Sequence, residues 1–544
     1  MIRIYAYLKH IVLDLNILRD VSNRYFLVFL FFYFILGSLI SYQNNVGGNI
    51  YFGADNARAY GDLTGILYNH YRIKVHPLFL LFTQPITLLI NGICQNPKLA
   101  VIIVQSLCAA LFIKTFYQIL FFLKVHEVII KSFPLILGFS FSFIIFSTTP
   151  ETFIFSGLTS ILFFYYLIKN QNLNLDTKKH ILTLCVFATF LTGMVVTNYF
   201  LFFTGVFLTL LFRNKYNIKV IIKNLGKLFI FSLTIIMAMC IIQKFIWNSC
   251  PIFISSMLNG LAGKGYEETH YINTNVFSLN QLTSYLYLFF LYPLLSPSIK
   301  LYVHEKWSSI GFSQYHDWQI VFGSICLIFL FITIFVFIVK TLRRNNIKNL
   351  FPLILGGVFL LFNISLHYLY GKLEAFIYSC NYLYLILLCI ALMLDNVIEG
   401  NKNNNNFCIT AKVVTFVFII IEFFNNLYYF NKTRLLTYEY LKTKYHTSPS
   451  IKVIFFYVAG TLVSLVILDK LKTIRAVFYP DTTTSAEKKQ CIIRTIIYVF
   501  CFCIFWELIS ISLQDGGIKG FVQSTAAEFH IKAILNLIRT KIGL

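Results

Sequence analysis

The feature that most limits what this chain can fold into is a succession of apolar stretches of bilayer-crossing length, separated by short polar segments rich in Lys and Arg. A helix that crosses the hydrocarbon core needs about 20 largely apolar residues, and fewer where it is tucked inside a bundle. Stretches of this kind fall at 25–42, 98–123, 132–148, 152–168, 181–197, 199–212, 225–248, 318–339, 351–369, 376–395, 411–430, 451–469 and 492–512. Hydrophobic residues make up 58% of the chain and charged residues 12%, against about 25% charged in a soluble domain. The expected fold is therefore an all-α polytopic membrane protein with about 13 transmembrane helices.

One apolar run, 76–93, is ambiguous because it is short and holds Pro77 and Pro85. Basic residues concentrate in cytoplasmic loops, and that bias decides the matter. If 76–93 does not cross, four basic segments share one side: Arg3 to Arg24, Lys124/Lys131, Lys169 to Lys179 and Arg213 to Lys219. Lys340 to Lys348 and Lys470 to Lys489 then join them. The run accordingly reads as an interfacial helix lying in the membrane surface, and the N-terminus as cytoplasmic. The loop 431–450, with Lys432, Arg434, Lys442 and Lys444, runs against this pattern.

The resulting organisation is a cytoplasmic N-terminus (1–24), a main transmembrane module (25–430), C-terminal transmembrane helices (431–512) and a polar tail (513–544). A first outward loop spans 43–97 and a second, long enough to be functional, spans 248–317. With a long n-region before Tyr25 and no small-residue cleavage site, the first span reads as an uncleaved anchor. The net charge of +23 would suggest nucleic acid in a soluble protein. Here topology accounts for it, and membrane lipids, not nucleic acid, are the expected surroundings. The 12 cysteines form no CxxC pair and lie mostly in apolar runs, so they read as small core residues.

The densest polar chemistry lies in the first outward loop. G53-A-D-N-A-R-A-Y-G-D62 and N69-H-Y-R-I-K-V-H-P-L78 hold the carboxylates Asp55 and Asp62 beside Arg58, Arg72, Lys74 and His76. A carboxylate at a membrane surface can take a proton from an attacking hydroxyl. Arginine is suited to a bidentate grip on phosphate. The bland alternative is a solvated, headgroup-anchoring loop. Thr149-Pro150-Glu151 is expected on the same side. An acid beside proline at a helix start also has an ordinary capping explanation.

A third outward segment, His367 to Glu374, offers Tyr370, Lys372 and Glu374, with Tyr378 following. An aromatic belt with a snorkelling lysine would look the same. In the long loop, Lys264 and His270 are candidate acceptor-binding residues. His304, His316 and Asp317 do not match metal-ligand spacing, so no metal and no cofactor is expected. Within the spans, Lys114 and Glu422 are the clearest ionisable residues, too few and scattered to form a proton relay.

Taken in order, these motifs resemble the C-type glycosyltransferase superfamily (GT-C), polytopic enzymes that use polyprenyl-phosphate-linked sugars. The resemblance rests on Asp55 in the first outward loop, on Arg72, Lys74 and His76-Pro77-Leu78, and on Pro150-Glu151 after the third span. Two short adjacent spans (181–212) and Tyr370, Gly371, Glu374 and Tyr378 complete it. The span count is similar to that of the aminoarabinose transferase and protein mannosyltransferase branches, and the likeness is closest in the N-terminal half. It implies a GT-C-like bundle in a bacterial inner membrane. The implied activity is sugar transfer, with inversion, from a polyprenyl-phosphate donor to a cell-envelope glycan of O-antigen or lipopolysaccharide type on the periplasmic face. Asp55 would be the base and Glu151 a second acid of the site. Arg58, Arg72, Lys74, His76 and Lys372 would face the leaving phosphate. Asp55 is followed by Asn56 where some branches carry an acidic pair, which leaves a divalent cation unsupported and Asp62 as a rival base. The competing readings are an O-antigen polymerase or ligase, with key Arg and His residues in a later loop, and a non-enzymatic lipid or glycan transporter, with charged broken helices at mid-membrane.

Overall fold

A computed structural model describes residues 20–40, 50–65, 75–171, 178–213, 218–247, 278–303, 308–313, 315–316, 319–323, 349–369, 375–399 and 405–445. The chain divides into two compact units, Met1–Thr437 and Tyr438–Leu544. Of the second, only 438–445 are described, as helix; the expected spans 451–469 and 492–512 and the polar tail lie outside the described residues, as does most of 318–339.

The first unit is built of helices. In chain order they are α1 (Val21–Leu39), α2 (Asn56–Thr64), α3 (Phe79–Cys94), α4 (Pro97–Phe122), α5 (Glu127–Phe139), α6 (Phe141–Thr148), α7 (Phe153–Lys169), α8 (Lys178–Met194), α9 (Asn198–Arg213), α10 (Ile218–Ile246), α11 (Leu279–Leu286), α12 (Leu350–Leu369), α13 (Ser379–Glu399) and α14 (Asn405–Tyr445). Six of them are long and apolar enough to cross a membrane, or seven spans if the bent pair α5–α6 is counted as one. The protein is thus mostly helical and multi-pass. Helix starts follow local sequence: Asp20 accepts from the Ser22 amide at α1, and Asn96 accepts from the Leu99 amide with Pro97 opening α4. A side-chain acceptor at the cap and proline at the first position both suit amides that have no partner within the helix.

The helices α4 and α13 form the middle of the bundle, with 67% and 78% of their apolar windows buried, against 28% for α1 and 22% for α10. Their apolar residues point all round, as a helix buried on every side requires. The centre packs tightly: a Cβ at Gly157 of α7 would lie 2.4 Å from the Cys380 carbonyl oxygen of α13. The short run 76–93 forms α3, 16 residues with Pro85 inside.

One departure from an all-helical reading concerns the second long loop. Its described part forms α11, a π-turn (Tyr287–Leu291) and an antiparallel hairpin of β1 (Ile299–Val303) and β2 (Ser308–Phe312), with Leu301 opposite Ile310. The first polar loop joins this hairpin. The Phe52 amide donates to the Ile310 carbonyl at 2.8 Å, and the Ile310 amide donates to the Ile50 carbonyl at 2.6 Å. Apolar patterning could not reveal this pairing, because backbone groups from segments some 250 residues apart make it.

Candidate functional site

The polar cluster begins at the junction of hairpin and α2. After pairing with β2 the chain passes through two positive-φ residues, Phe52 (φ 54) and Gly53 (φ 80). Glycine takes that conformation readily; phenylalanine does so only where its surroundings enforce it. The Phe52 ring packs on Phe312, Phe141 and Phe376 at 4.7–5.5 Å. The turn delivers Asp55 to the position just before α2, where its carboxylate makes no capping bond to that helix.

Four residues then converge. Arg58, one turn into α2, is buried with 2% of its side chain exposed. Its Nη1 donates to Asp62 Oδ2 at 2.7 Å and its Nη2 to Thr152 Oγ1 at 3.0 Å. Nη2 also lies 3.5 Å from Glu151 Oε1, and Nε lies 3.5 Å from Asp55 Oδ2. One guanidinium therefore faces three carboxylates, which hold it in the charged form against the cost of burial. Glu151 is equally enclosed. Its Oε2 accepts from the Asp55 amide at 2.9 Å and its Oε1 from the Thr152 amide at 2.7 Å. Burial pushes its carboxyl upward, Arg58 opposes that, and the charge of Asp55 adds to it; the net direction is up.

Neutral amides fix the segment that carries Glu151. Asn56 Nδ2 donates to the Pro150 carbonyl at 2.9 Å, and Gln105 Nε2 of α4 donates to the Thr149 carbonyl at 2.8 Å. Three of the expected site residues, Asp55, Asp62 and Glu151, thus meet around Arg58. They differ in access: 17% of the Asp55 side chain is exposed, 6% of Asp62 and 1% of Glu151. Arg58, expected to face a phosphate, turns its nitrogens to these acids instead.

His76 sits apart from the acids. Its segment docks on the joint between α8 and α9: the Leu78 amide donates to the Gly193 carbonyl, the Val196 amide to the Val75 carbonyl, and His76 Nδ1 lies 2.7 Å from the Met194 carbonyl. A carbonyl acceptor places a proton on Nδ1. Its ring meets Phe153 edge-on at 5.7 Å, and Phe153 meets Tyr378 at 4.6 Å, so His76 and Tyr378 flank the first residue of α7. Arg72, Lys74, Lys264, His270, Tyr370, Lys372 and Glu374 lie outside the described residues.

Asn56, Gln105 and Thr152 were not singled out from sequence. Gln105 carried a signal, a lone amide in an apolar run of membrane-spanning length; Thr152 carried none beyond its place after Glu151. No group of three or more His, Cys, Asp or Glu suited to a metal ion occurs among the described residues. Nor does comparison supply a relative: no protein-family model matches the chain, and no curated protein is significantly similar to it in sequence.

Proposed function

We propose that this protein is a membrane glycosyltransferase of GT-C type. It moves a sugar from a polyprenyl-phosphate donor to a hydroxyl of a cell-envelope glycan of O-antigen or lipopolysaccharide type, on the periplasmic face of a bacterial inner membrane. The reading includes about 13 spans and a cytoplasmic N-terminus. The observation that carries it is the unequal use of three acids around one arginine. Asp62 is committed to Arg58 at 2.7 Å and Glu151 to two backbone amides, while Asp55 is the most accessible and stands 3.5 Å from Arg58 Nε.

In this mechanism Asp55 takes the proton of the acceptor hydroxyl as that oxygen bonds to the anomeric carbon. The bond from anomeric carbon to phosphate oxygen breaks, and the electron pair leaves with polyprenyl phosphate. Attack opposite the leaving group inverts the sugar. Glu151 acts by holding the Asp55 backbone, and Arg58 by keeping the acids together. The leaving phosphate falls to His76 and to Arg72, Lys74 and Lys372. Asp62 is the weaker candidate for base because its side chain is less accessible, 6% exposed against 17% for Asp55.

The test is Asp55→Asn in proteoliposomes with a radiolabelled polyprenyl-phosphate sugar. Loss of a general base is expected to slow transfer by about 10²–10⁴-fold while the variant inserts and melts like the parent. Undiminished transfer by Asp55→Asn, with loss in Asp62→Asn, would move the base to Asp62.

A further inference from the structure

Glu422 of α14 takes no part in that chemistry. It lies within a 29-residue membrane-spanning segment, Lys412–Tyr440, with none of its surface exposed. Neither carboxyl oxygen has a hydrogen-bond partner among the described residues, and no Lys, Arg or His lies within ion-pair distance of it there. Beside it in the chain begins an aromatic layer. The adjoining Phe423 packs on Phe139 at 4.8 Å and on Phe32 at 6.3 Å, and Phe29 and Tyr33 of α1 complete the layer.

Among the described residues the titratable groups close by are Tyr33, and beside Tyr33 the thiol of Cys380 on α13. The Tyr33 hydroxyl is already used, donating to the Gly138 carbonyl at 2.7 Å. Lys114, which also lies inside a span, sits over the Phe26 ring. An ionised carboxylate with no donor and no counter-charge in apolar surroundings is far less favourable than its protonated form.

The position has a mechanical setting. Three and four residues on, and so on the same helix face, Asn425 and Asn426 hold the break between α5 and α6, where the chain bends by 55°. Asn426 Nδ2 donates to the carbonyls of Phe139 at 2.9 Å and Leu294 at 2.6 Å, while Asn425 Nδ2 donates to the Ser296 carbonyl at 3.1 Å. The amides of Phe141 and Ser142, which open α6, pair with the carbonyls of Leu294 and Pro293. Beyond α6 comes Thr149-Pro150-Glu151.

We propose that Glu422 is an intramembrane proton-binding site, a neutral carboxylic acid with the proton as its ligand, one helical turn from the amide joint that fixes the broken span leading to Glu151. The site stands independently of the transferase reading. Among the described residues a charge forming at Glu422 has no partner to receive it, so deprotonation would force α14 to move against the joint.

The experiment is an infrared difference spectrum at neutral pH, full-length parent minus Glu422→Gln, both in proteoliposomes. Removing one carboxyl must remove the band of whichever form it held. The expected result is loss of the carbonyl stretch of a protonated acid. Loss of the paired carboxylate stretches instead would overturn the proposal and point to a cation, metal or lipid amine, at this position. If Glu422→Gln fails to insert, Glu422→Met gives the same subtraction.

Discussion

Glu151 and Glu422 are both fully buried glutamates, yet the protein treats them in opposite ways. Glu151 meets two backbone amides within 2.9 Å and a guanidinium at 3.5 Å. Glu422 meets no donor among the described residues. Burial alone therefore says little about an acid's role. What decides it is whether the fold brings hydrogen-bond donors and an opposite charge to the same place. Around Glu151 it does, through the convergence of α2, α4 and the start of α7; around Glu422 it does not among the described residues.

The sharpest break of this comparison is removal of the shared cation. Arg58→Met leaves Asp62 and Glu151 buried without their counter-charge, and a broken buried pair of this kind costs about 3–5 kcal/mol. Thermal or denaturant unfolding in detergent would measure it; a change under about 1 kcal/mol would mean that the acids are solvated and not held by Arg58.

A smaller effect is expected where α7 meets α13. Gly157→Ala places a methyl against the Cys380 carbonyl, and overpacking of this kind costs about 1–3 kcal/mol. Its melting temperature should fall without any change in the pH dependence that the acids impose.

Glu151→Gln keeps the shape but turns one acceptor into a donor facing a backbone N–H. The loss is about 1–2 kcal/mol at neutral pH. The pH profile carries more information. Because the carboxyl of Glu151 is raised in the folded protein, its contribution to stability is fully present below the unfolded value, about 4.3, and is lost as pH rises through the folded one. The parent should thus lose stability over that window relative to Glu151→Gln, so the deficit of the variant narrows as pH rises. Parallel melting curves for the two proteins would remove the assignment.

The smallest effect belongs to Glu422→Gln. If the acid is already neutral, the amide replaces it almost isosterically, and unfolding should shift by less than about 1 kcal/mol. Large destabilisation would show that the negative charge itself is needed, erasing the contrast with Glu151.

Much of the helical framework was legible in the residue order. The apolar runs at 98–123, 152–168, 351–369 and 376–395 match α4, α7, α12 and α13 to within a few residues, because bilayer thickness imposes a length and a composition on any span. The run 132–148 reads as one span but bends at Ser140. That break is held by Asn426 and by the carbonyls of Pro293 and Leu294, partners far away in sequence. Asp55 and Asp62 stood close together in one polar loop, and Glu151 was joined to them only by its expected side of the membrane and by the resemblance to the GT-C superfamily.

What each acid does there was decided only in three dimensions. Spacing placed Asp62 seven residues after Asp55 and said nothing of Arg58 between them as the common partner of both and of Glu151. Nor did any local pattern show that the first and second polar loops share a strand pairing through Ile310. Apolar length and charge are properties of a segment and can be read along the chain. A hydrogen bond or ion pair is a property of two segments, and exists only once packing has set the distance between them.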